Sequence, residues 1–392
     1  MKSASFSRFQ IPVLFVVVVA FTAATHAQVA PTTVHPAPRE FNLLVLGDSI
    51  LWGQGLKTEH KSWHLVKNWL EEDQHMTVRE RVEAHAGAVI GSAGTAPPRL
   101  LTLYGEIASA WPTLHDQIDD AVRLIGDTSQ VDLVLVDGCI NDVNARSFLN
   151  AGNSGQAIES LAREKCGPPV EALLSRVASS FPNAHIVLTG YYPVISEKTS
   201  QDLFMRALAK RFYAATSAEA RRPSDKEMFE RLTAISRIWY EASNRALTAA
   251  VASTNEELAA RGSRQRVSFA RIPFQPEYAF AAKESRLWGF DATTIRKMLA
   301  VFTLGRVSLH ANDEVSSRRW SMCEDFFRKY PHETDAQKRA RKDNLMVCRL
   351  AAIAHPNRRG AVMYADAIKE QVQNLMTNTG WLRNTTAAVA AH

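Results

Sequence analysis

The sequence contains no Cys-x-x-Cys pair and no cluster of histidines, so it offers no ligand spacing for a metal centre. It also lacks a large excess of one charge: 46 Lys and Arg stand against 40 Asp and Glu, a net +6 that falls to +4 without Lys2 and Arg8. The basic clusters, Arg221-Arg222 and Lys338 to Lys342, are short and read as solvated helix faces rather than a nucleic-acid surface. No apolar run approaches the roughly 20 residues needed to span a bilayer. What is present is an ordinary globular composition, 46% hydrophobic and 22% charged, in 392 residues, enough for a sizeable core.

The longest apolar stretch near the amino terminus, Ile11 to Phe21, follows Lys2 and Arg8 and precedes Thr25-His26-Ala27. That order of positive start, short apolar run and small residue is the pattern of a secretory signal, expected over residues 1–27. No cysteine follows the run, which argues against lipid anchoring, so a secreted or periplasmic protein without a stable membrane anchor is expected. Residues 28–40, with prolines at 31, 36 and 38, read as a linker. Export makes Cys139, Cys166, Cys323 and Cys348 disulfide candidates, with three pairings allowed. The nearest-neighbour set closes two loops of similar length, each worth about 3 kcal/mol in the chain-entropy model.

The chain is organised around Leu43 to Leu56. Asn42 to Leu46 is a short apolar run suited to a strand covered on both faces, and it ends in Gly47-Asp48-Ser49. Glycine permits a sharp exit from the sheet, and Asp and Ser start helices. Alternation continues through a helix over Ser62 to Glu72 and a strand over Val78 to Glu83, then a helix over Leu114 to Ile125 and a strand over Val131 to Val136. A helix over Pro169 to Phe181 and a strand over Ile186 to Gly190 follow. Ser224 and Glu227 form a capping box for a long helix reaching Ala260, and Val267 to Ala270 reads as a fifth strand. With right-handed crossovers this pattern predicts an α/β fold, a three-layer α/β/α sandwich on a doubly wound parallel sheet of about five strands. Residues 193–344 are expected to form a mainly helical insertion within a domain spanning 41–380, before a tail at 381–392. The insertion's aromatics, Trp288, Phe290, Phe302, Trp320, Phe326, Phe327 and Tyr330, are expected to pack beside the site and shape a pocket.

The Gly47-Asp48-Ser49-Ile50 turn, with Trp52-Gly53-Gln54-Gly55 behind it, resembles the nucleophile block of the SGNH (GDSL-type) hydrolases, serine esterases and lipases. Ala86-Gly87-Ala88 is similar to the family's second block. Cys139-Ile140-Asn141-Asp142 is similar to its third, with Cys139 standing where a glycine is expected. His355-Pro356-Asn357-Arg358-Arg359-Gly360 resembles the family's block carrying the base, ahead of a helix over Ala361 to Gln373. The resemblance implies a flavodoxin-like sheet and an ester hydrolase with Ser49 as nucleophile and His355 as base. The N–H groups of Ser49 and Gly87 and the Asn141 amide would be the oxyanion donors. No metal or organic cofactor and no nucleic-acid partner is implied, and the substrate would be a small-molecule, glycan or lipid ester. A bridge from Cys139 to Cys166 would pin the Asn141 loop.

One element of the family pattern is missing. The acid normally three residues before the histidine is replaced by Ala352. Either an acid arrives from elsewhere, with Asp343, Glu324 and Asp313 as candidates, or a backbone carbonyl orients the imidazole. The rival reading, suggested by Ala352 and the displaced glycine, is a non-catalytic ligand- or carbohydrate-binding protein on the same fold. A phosphoesterase is disfavoured by the absence of metal-binding clusters.

Overall fold

The protein is described by a computed structural model covering residues 39–91, 105–143, 147–214, 222–291, 310–328, 344–379 and 381. The expected signal, most of the linker, residues 382–392, the two basic clusters apart from Arg222, and Phe302, Tyr330 and Asp343 lie outside the described residues.

Five strands form one parallel sheet: β1 (Arg39–Val45), β2 (Met76–Val82), β3 (Leu133–Val136), β4 (His185–Thr189) and β5 (Val267–Ala270). Their order is β2-β1-β3-β4-β5, the flavodoxin-like arrangement. In register, Leu43 of β1 lies between Glu80 of β2 and Leu133 of β3, and Val136 lies opposite Leu188. β3 and β4 are buried along their whole length, which accounts for the apolar runs Leu133 to Val136 and Ile186 to Leu188 within them. β2 is an edge, and Arg79 and Glu80 on it stay exposed, the kind of charged edge that resists pairing with another chain.

The helices of the first half are α1 (Ser49–Trp52), α2 (Ser62–Glu72), α3 (Leu114–Ile125), α4 (Ile140–Val143), α5 (Gly155–Cys166) and α6 (Pro168–Ser180). Those of the second half are α7 (Leu203–Phe212), α8 (Asp225–Ala260), α9 (Ser316–Arg328) and α10 (Arg358–Thr379). From β1 the chain first moves outward to β2, then returns past β1 to β3 and on to β5. Right-handed crossovers therefore place α2 on one face and α3, α6 and α8 on the other. The packing agrees: α10 lies against α2, β4 and β5, while α8 lies on α5, α6 and β5. The reversal of direction occurs between β1 and β3, and open α/β sheets bind ligands in the crevice at that point.

α8 begins at the capping box of Ser224 and Glu227 and buries Met228, Leu232, Ile235, Trp239 and Ala242. Both α8 and β5 fall inside the span 193–344, yet both belong to the layers of the sandwich. Between β5 and α10, Cys323 and Cys348 pack with Ile107 in a small apolar cluster separate from the main core. Cysteines 139 and 166 are bridged, as are 323 and 348, the nearest-neighbour pairing.

Candidate active site

Ser49 is presented by a turn with few alternatives. Leu46 N–H still donates to the Leu135 carbonyl (2.9 Å), and the chain then leaves the sheet through Gly47, where a side chain would collide with the Asp137 carboxylate. Asp48 caps α1, its carboxylate accepting from Ile50 N–H at 2.9 Å. Ser49 is the first helical residue, and its N–H, like most in a first turn, has no intrahelical acceptor; none is found among the described residues. Four residues on, Gly53 in left-handed backbone (φ 74°) ends α1.

Three hundred and six positions away, His355 places Nε2 2.8 Å from the Ser49 Oγ. Its other ring nitrogen, Nδ1, lies 3.3 Å from the Ile353 carbonyl oxygen. A proton on Nδ1 would be directed at that carbonyl, leaving Nε2 as the acceptor for the hydroxyl. The loop is fixed from several sides. Trp288 N–H donates to the His355 carbonyl (2.7 Å), Ala354 N–H to the Trp288 carbonyl (2.9 Å), and the Tyr192 hydroxyl to the Ala354 carbonyl (2.7 Å). Asn357 opens α10, its Oδ1 accepting from Gly360 N–H at 3.1 Å. Burial pulls the imidazole pKa down from 6.5 to about 4, the Ile353 carbonyl opposes this, and the Arg319 charge adds to it. The ring is therefore neutral near pH 7.

None of the described acids reaches that ring. Ala352 is fully buried and supplies no carboxylate. Asp313 gives both oxygens to Arg319, and Glu324 pairs with Arg349 and accepts from Trp320 Nε1 at 2.9 Å. Asp343 is outside the described residues. Of the two arrangements left open by the sequence, the backbone carbonyl is the one next to Nδ1.

Gly87 lies in left-handed backbone (φ 83°), where a Cβ would stand 2.6 Å from Ser109 N and 2.9 Å from Ser109 O. His85 N–H donates to the Gly47 carbonyl (3.0 Å), seating this turn beside the one carrying Ser49, and the Gly87 N–H has no acceptor among the described residues. Asn141, in α4, donates one amide hydrogen to the Ala88 carbonyl at 2.9 Å, and its Nδ2 has a second to offer. Asp142 accepts from Ile90 N–H (3.0 Å) and Gly91 N–H (3.2 Å), so the loops after β2 and β3 are joined. Cys139 adopts φ 104°, the conformation that suits the glycine expected there, and its bridge to Cys166 holds it.

Several residues behind Ser49 escape a reading by motif. Asp137 accepts from Asp48 N–H (2.6 Å) and Leu51 N–H (2.9 Å). The Tyr191 hydroxyl donates to Asp48 at 3.1 Å and accepts from Ile140 N–H at 3.3 Å, linking the Ser49 turn to the Asn141 loop. Asp48 and Asp137 are both fully buried with no cation paired to either among the described residues. Burial raises the Asp48 pKa to about 6 and, with the Asp48 charge added, raises that of Asp137 well above the carboxylate range. The pair is therefore disposed to retain a proton toward neutral pH, because two buried carboxylates this close resist ionising together. Gln117 of α3 accepts from Gly47 N–H at 2.8 Å and donates to the Gly47 carbonyl at 2.9 Å. Its signal in the sequence is a polar residue on the buried stripe of Leu114, Ile118 and Ala121.

No family model matches the sequence, and no curated protein sequence matches it. Solved structures similar to the chain include a phospholipase A1 from Streptomyces albidoflavus, 14% identical over 64% of this chain and 88% of that one, with a TM-score of 0.37. An extracellular lipase from Streptomyces rimosus is 16% identical over 64% and 88%, with a TM-score of 0.35. A putative GDSL-like lipase from Parabacteroides merdae is 12% identical over 88% and 97%, with a TM-score of 0.32. These are lipases by name, the class that the sequence motifs resemble. The functional reading rests on the site geometry, not on likeness this distant.

Proposed function

We propose that the protein is an exported serine ester hydrolase of the SGNH type, cleaving carboxylic esters through an acyl-enzyme on Ser49. The observation that carries this is the 2.8 Å contact between the Ser49 hydroxyl and Nε2 of a neutral His355. In the first half-reaction Oγ attacks the ester carbonyl carbon while its proton passes to Nε2, and the imidazolium returns that proton to the leaving alkoxide. In the second, water loses a proton to Nε2 as it attacks the acyl carbon, and Ser49 leaves with the proton. The carbonyl oxygen becomes negative in both steps and is received by the N–H groups of Ser49 and Gly87 and the Asn141 amide. Such pre-set donors need no reorganisation as charge develops. The Ile353 carbonyl holds the Nδ1 proton and sets the ring's orientation, the part a carboxylate plays in a full triad.

Export agrees with two disulfides, the leader-like residues 1–27, and the absence among the described residues of any helix long and apolar enough to cross a membrane. We take residues 41–380 as the hydrolase domain, acting on a small-molecule, glycan or lipid ester. Fluorophosphonate labelling tests the assignment, with modification expected on Ser49 and nowhere else. Folded protein that leaves Ser49 unmodified, or that hydrolyses p-nitrophenyl esters equally well as Ser49→Ala, refutes it in favour of a ligand-binding role.

A further inference from the structure

Arg319 lies on α9 with no exposed surface, enclosed with Asp313 and Glu106. Its Nη1 donates to Glu106 Oε1 at 2.8 Å and Asp313 Oδ1 at 3.1 Å, and Nη2 pairs with the other Asp313 oxygen. Its Nε donates to the Arg349 carbonyl at 3.2 Å. Glu106 in turn receives Gly55 N–H (3.0 Å), Gln54 Nε2 (2.9 Å) and Trp52 Nε1 (2.8 Å), all in the segment following Ser49. The N–H groups of Gly53 and Gln54 return to the Ser49 carbonyl at 3.1 and 3.0 Å. On the other side, Arg349 leads into the turns that present the base: Ile353 N–H donates to the Leu350 carbonyl and His355 N–H to the Ala352 carbonyl, each at 2.9 Å.

One guanidinium thus touches both segments, and its planar fork accepts few other arrangements. Stability alone is a weak reason for such a cluster, since a buried ion triad is often no better than well-packed apolar residues of the same volume. Its location is the informative fact. A Cβ on Gly55 would fall 2.8 Å from the Ala352 Cβ and 3.0 Å from the Asp313 Cβ, so Asp313 packs behind the histidine loop with its carboxylate turned to Arg319, not to the imidazole.

We propose that Arg319 is a positioning residue that sets the distance between Ser49 and His355 by tying the segment after the nucleophile to the loop bearing the base. This rests on the hydrolase reading above. It assigns to the buried Arg319–Glu106 link part of the alignment that a carboxylate on the imidazole would otherwise supply.

Arg319→Lys and Arg319→Met in the full chain test it. Lysine keeps the charge but cannot span Glu106, Asp313 and the Arg349 carbonyl together. Arg319→Lys should lower kcat and the rate of fluorophosphonate labelling by about 10²-fold, with KM within about threefold, because misplacement by an ångström costs that much. The His355 ring, followed by NMR and identified among the twelve histidines with His355→Gln, should titrate in Arg319→Lys as in the wild type. In Arg319→Met its pKa should rise. A folded Arg319→Lys that labels and turns over within twofold of wild type overturns the proposal. Should that variant fail to fold, Glu106→Met decides: it removes the acceptor shared by Arg319, Gln54 and Gly55 and leaves Asp313 to pair with Arg319. It should slow labelling about tenfold, and an unchanged rate overturns the proposal. Wild-type protein that neither labels nor turns over defeats the hydrolase reading instead, while a folded Arg319→Met that labels at the wild-type rate defeats the link by itself.

Discussion

Gly87→Ala separates the role of a backbone conformation from the role of a close approach. At φ 83°, a residue with a Cβ pays about 1–2 kcal/mol for left-handed backbone. The added carbon would also stand 2.6 Å from Ser109 N, 2.9 Å from Ser109 O and 3.1 Å from the Ala108 carbonyl carbon. These are backbone atoms, held by the 2.8 Å hydrogen bond from Ser109 N–H to the Ala86 carbonyl, and no rotamer change can move them aside. Overpacking of this kind adds about 1–3 kcal/mol, so the whole cost is about 2–5 kcal/mol. Relief requires the 86–88 turn to move, carrying its N–H away from the carbonyl oxygen it would receive; losing one such donor costs about 10²- to 10³-fold in kcat. Gly262→Ala is the control: its φ is 67°, but nothing lies within 4 Å of the added Cβ and it follows α8 away from the site. Urea denaturation and p-nitrophenyl ester turnover should show Gly262→Ala with a loss of about 1 kcal/mol and wild-type turnover. If Gly87→Ala proves as stable as Gly262→Ala and retains turnover within threefold of wild type, the reasoning fails.

Asn141→Ala should lower kcat by about 10²- to 10³-fold with a smaller effect on KM, measured on the same esters. The acid limb of kcat/KM should fall at a pH well under 6.5, toward about 4, because burial keeps His355 neutral; a limb near 6.5 would contradict this environment. His185 is also held neutral, at about 4, by burial, and its Nδ1 accepts from Arg266 N–H at 3.1 Å. Its unfolded state binds the extra proton first, so the stability it contributes above pH 6.5 is lost as pH falls toward 4. Asp48, raised to about 6, works in the opposite direction over a similar range, so the comparison must be between variants. His185→Asn should remove about 2 kcal/mol of the stability difference between pH 7 and pH 5 seen by denaturation of the wild type. Cys166→Ala should lower thermal stability and reduce kcat more than KM, since the bridge holds Cys139 two residues from Asn141.

Much of the sheet and its main helices were legible because burial leaves a direct imprint on sequence. α2, α3 and β5 have the limits read from periodicity, and α8 starts where the Ser224 capping box predicts. β2 begins two residues earlier than its apolar positions suggest, because an edge strand tolerates the exposed Thr77, Arg79 and Glu80 among its buried positions. α5 leaves little signature in the sequence: Gly155 and a charged second half give it a weak apolar stripe, and packing on α8 supplies its stability. The 193–344 span reads as an insertion because long irregular stretches separate α8 and β5 from the regular alternation, and α8 and β5 within it complete the sandwich. At the candidate site, Ser49, Gly87, Asn141 and His355 can be proposed from sequence because each sits in a short block of neighbours. The Asp48–Asp137 pair, Gln117 and the Arg319–Glu106 link cannot, since their partners are 70 to 213 positions distant and no local pattern records the contact. The ring nitrogen facing away from Ser49 was undecidable for a simpler reason: a backbone carbonyl has no side-chain signature.

Gln117 shows how a helix can lengthen a sheet. Its side-chain amide meets both the N–H and the C=O of Gly47, as the residue opposite in an antiparallel strand would, so the backbone gains one further rung past the end of β1 from a helix side chain. Glutamate has the same outline but only oxygens to present, and at position 117 it would set one of them against the Gly47 carbonyl. The height of α3 along the sheet is therefore written directly into the place where the serine turn begins.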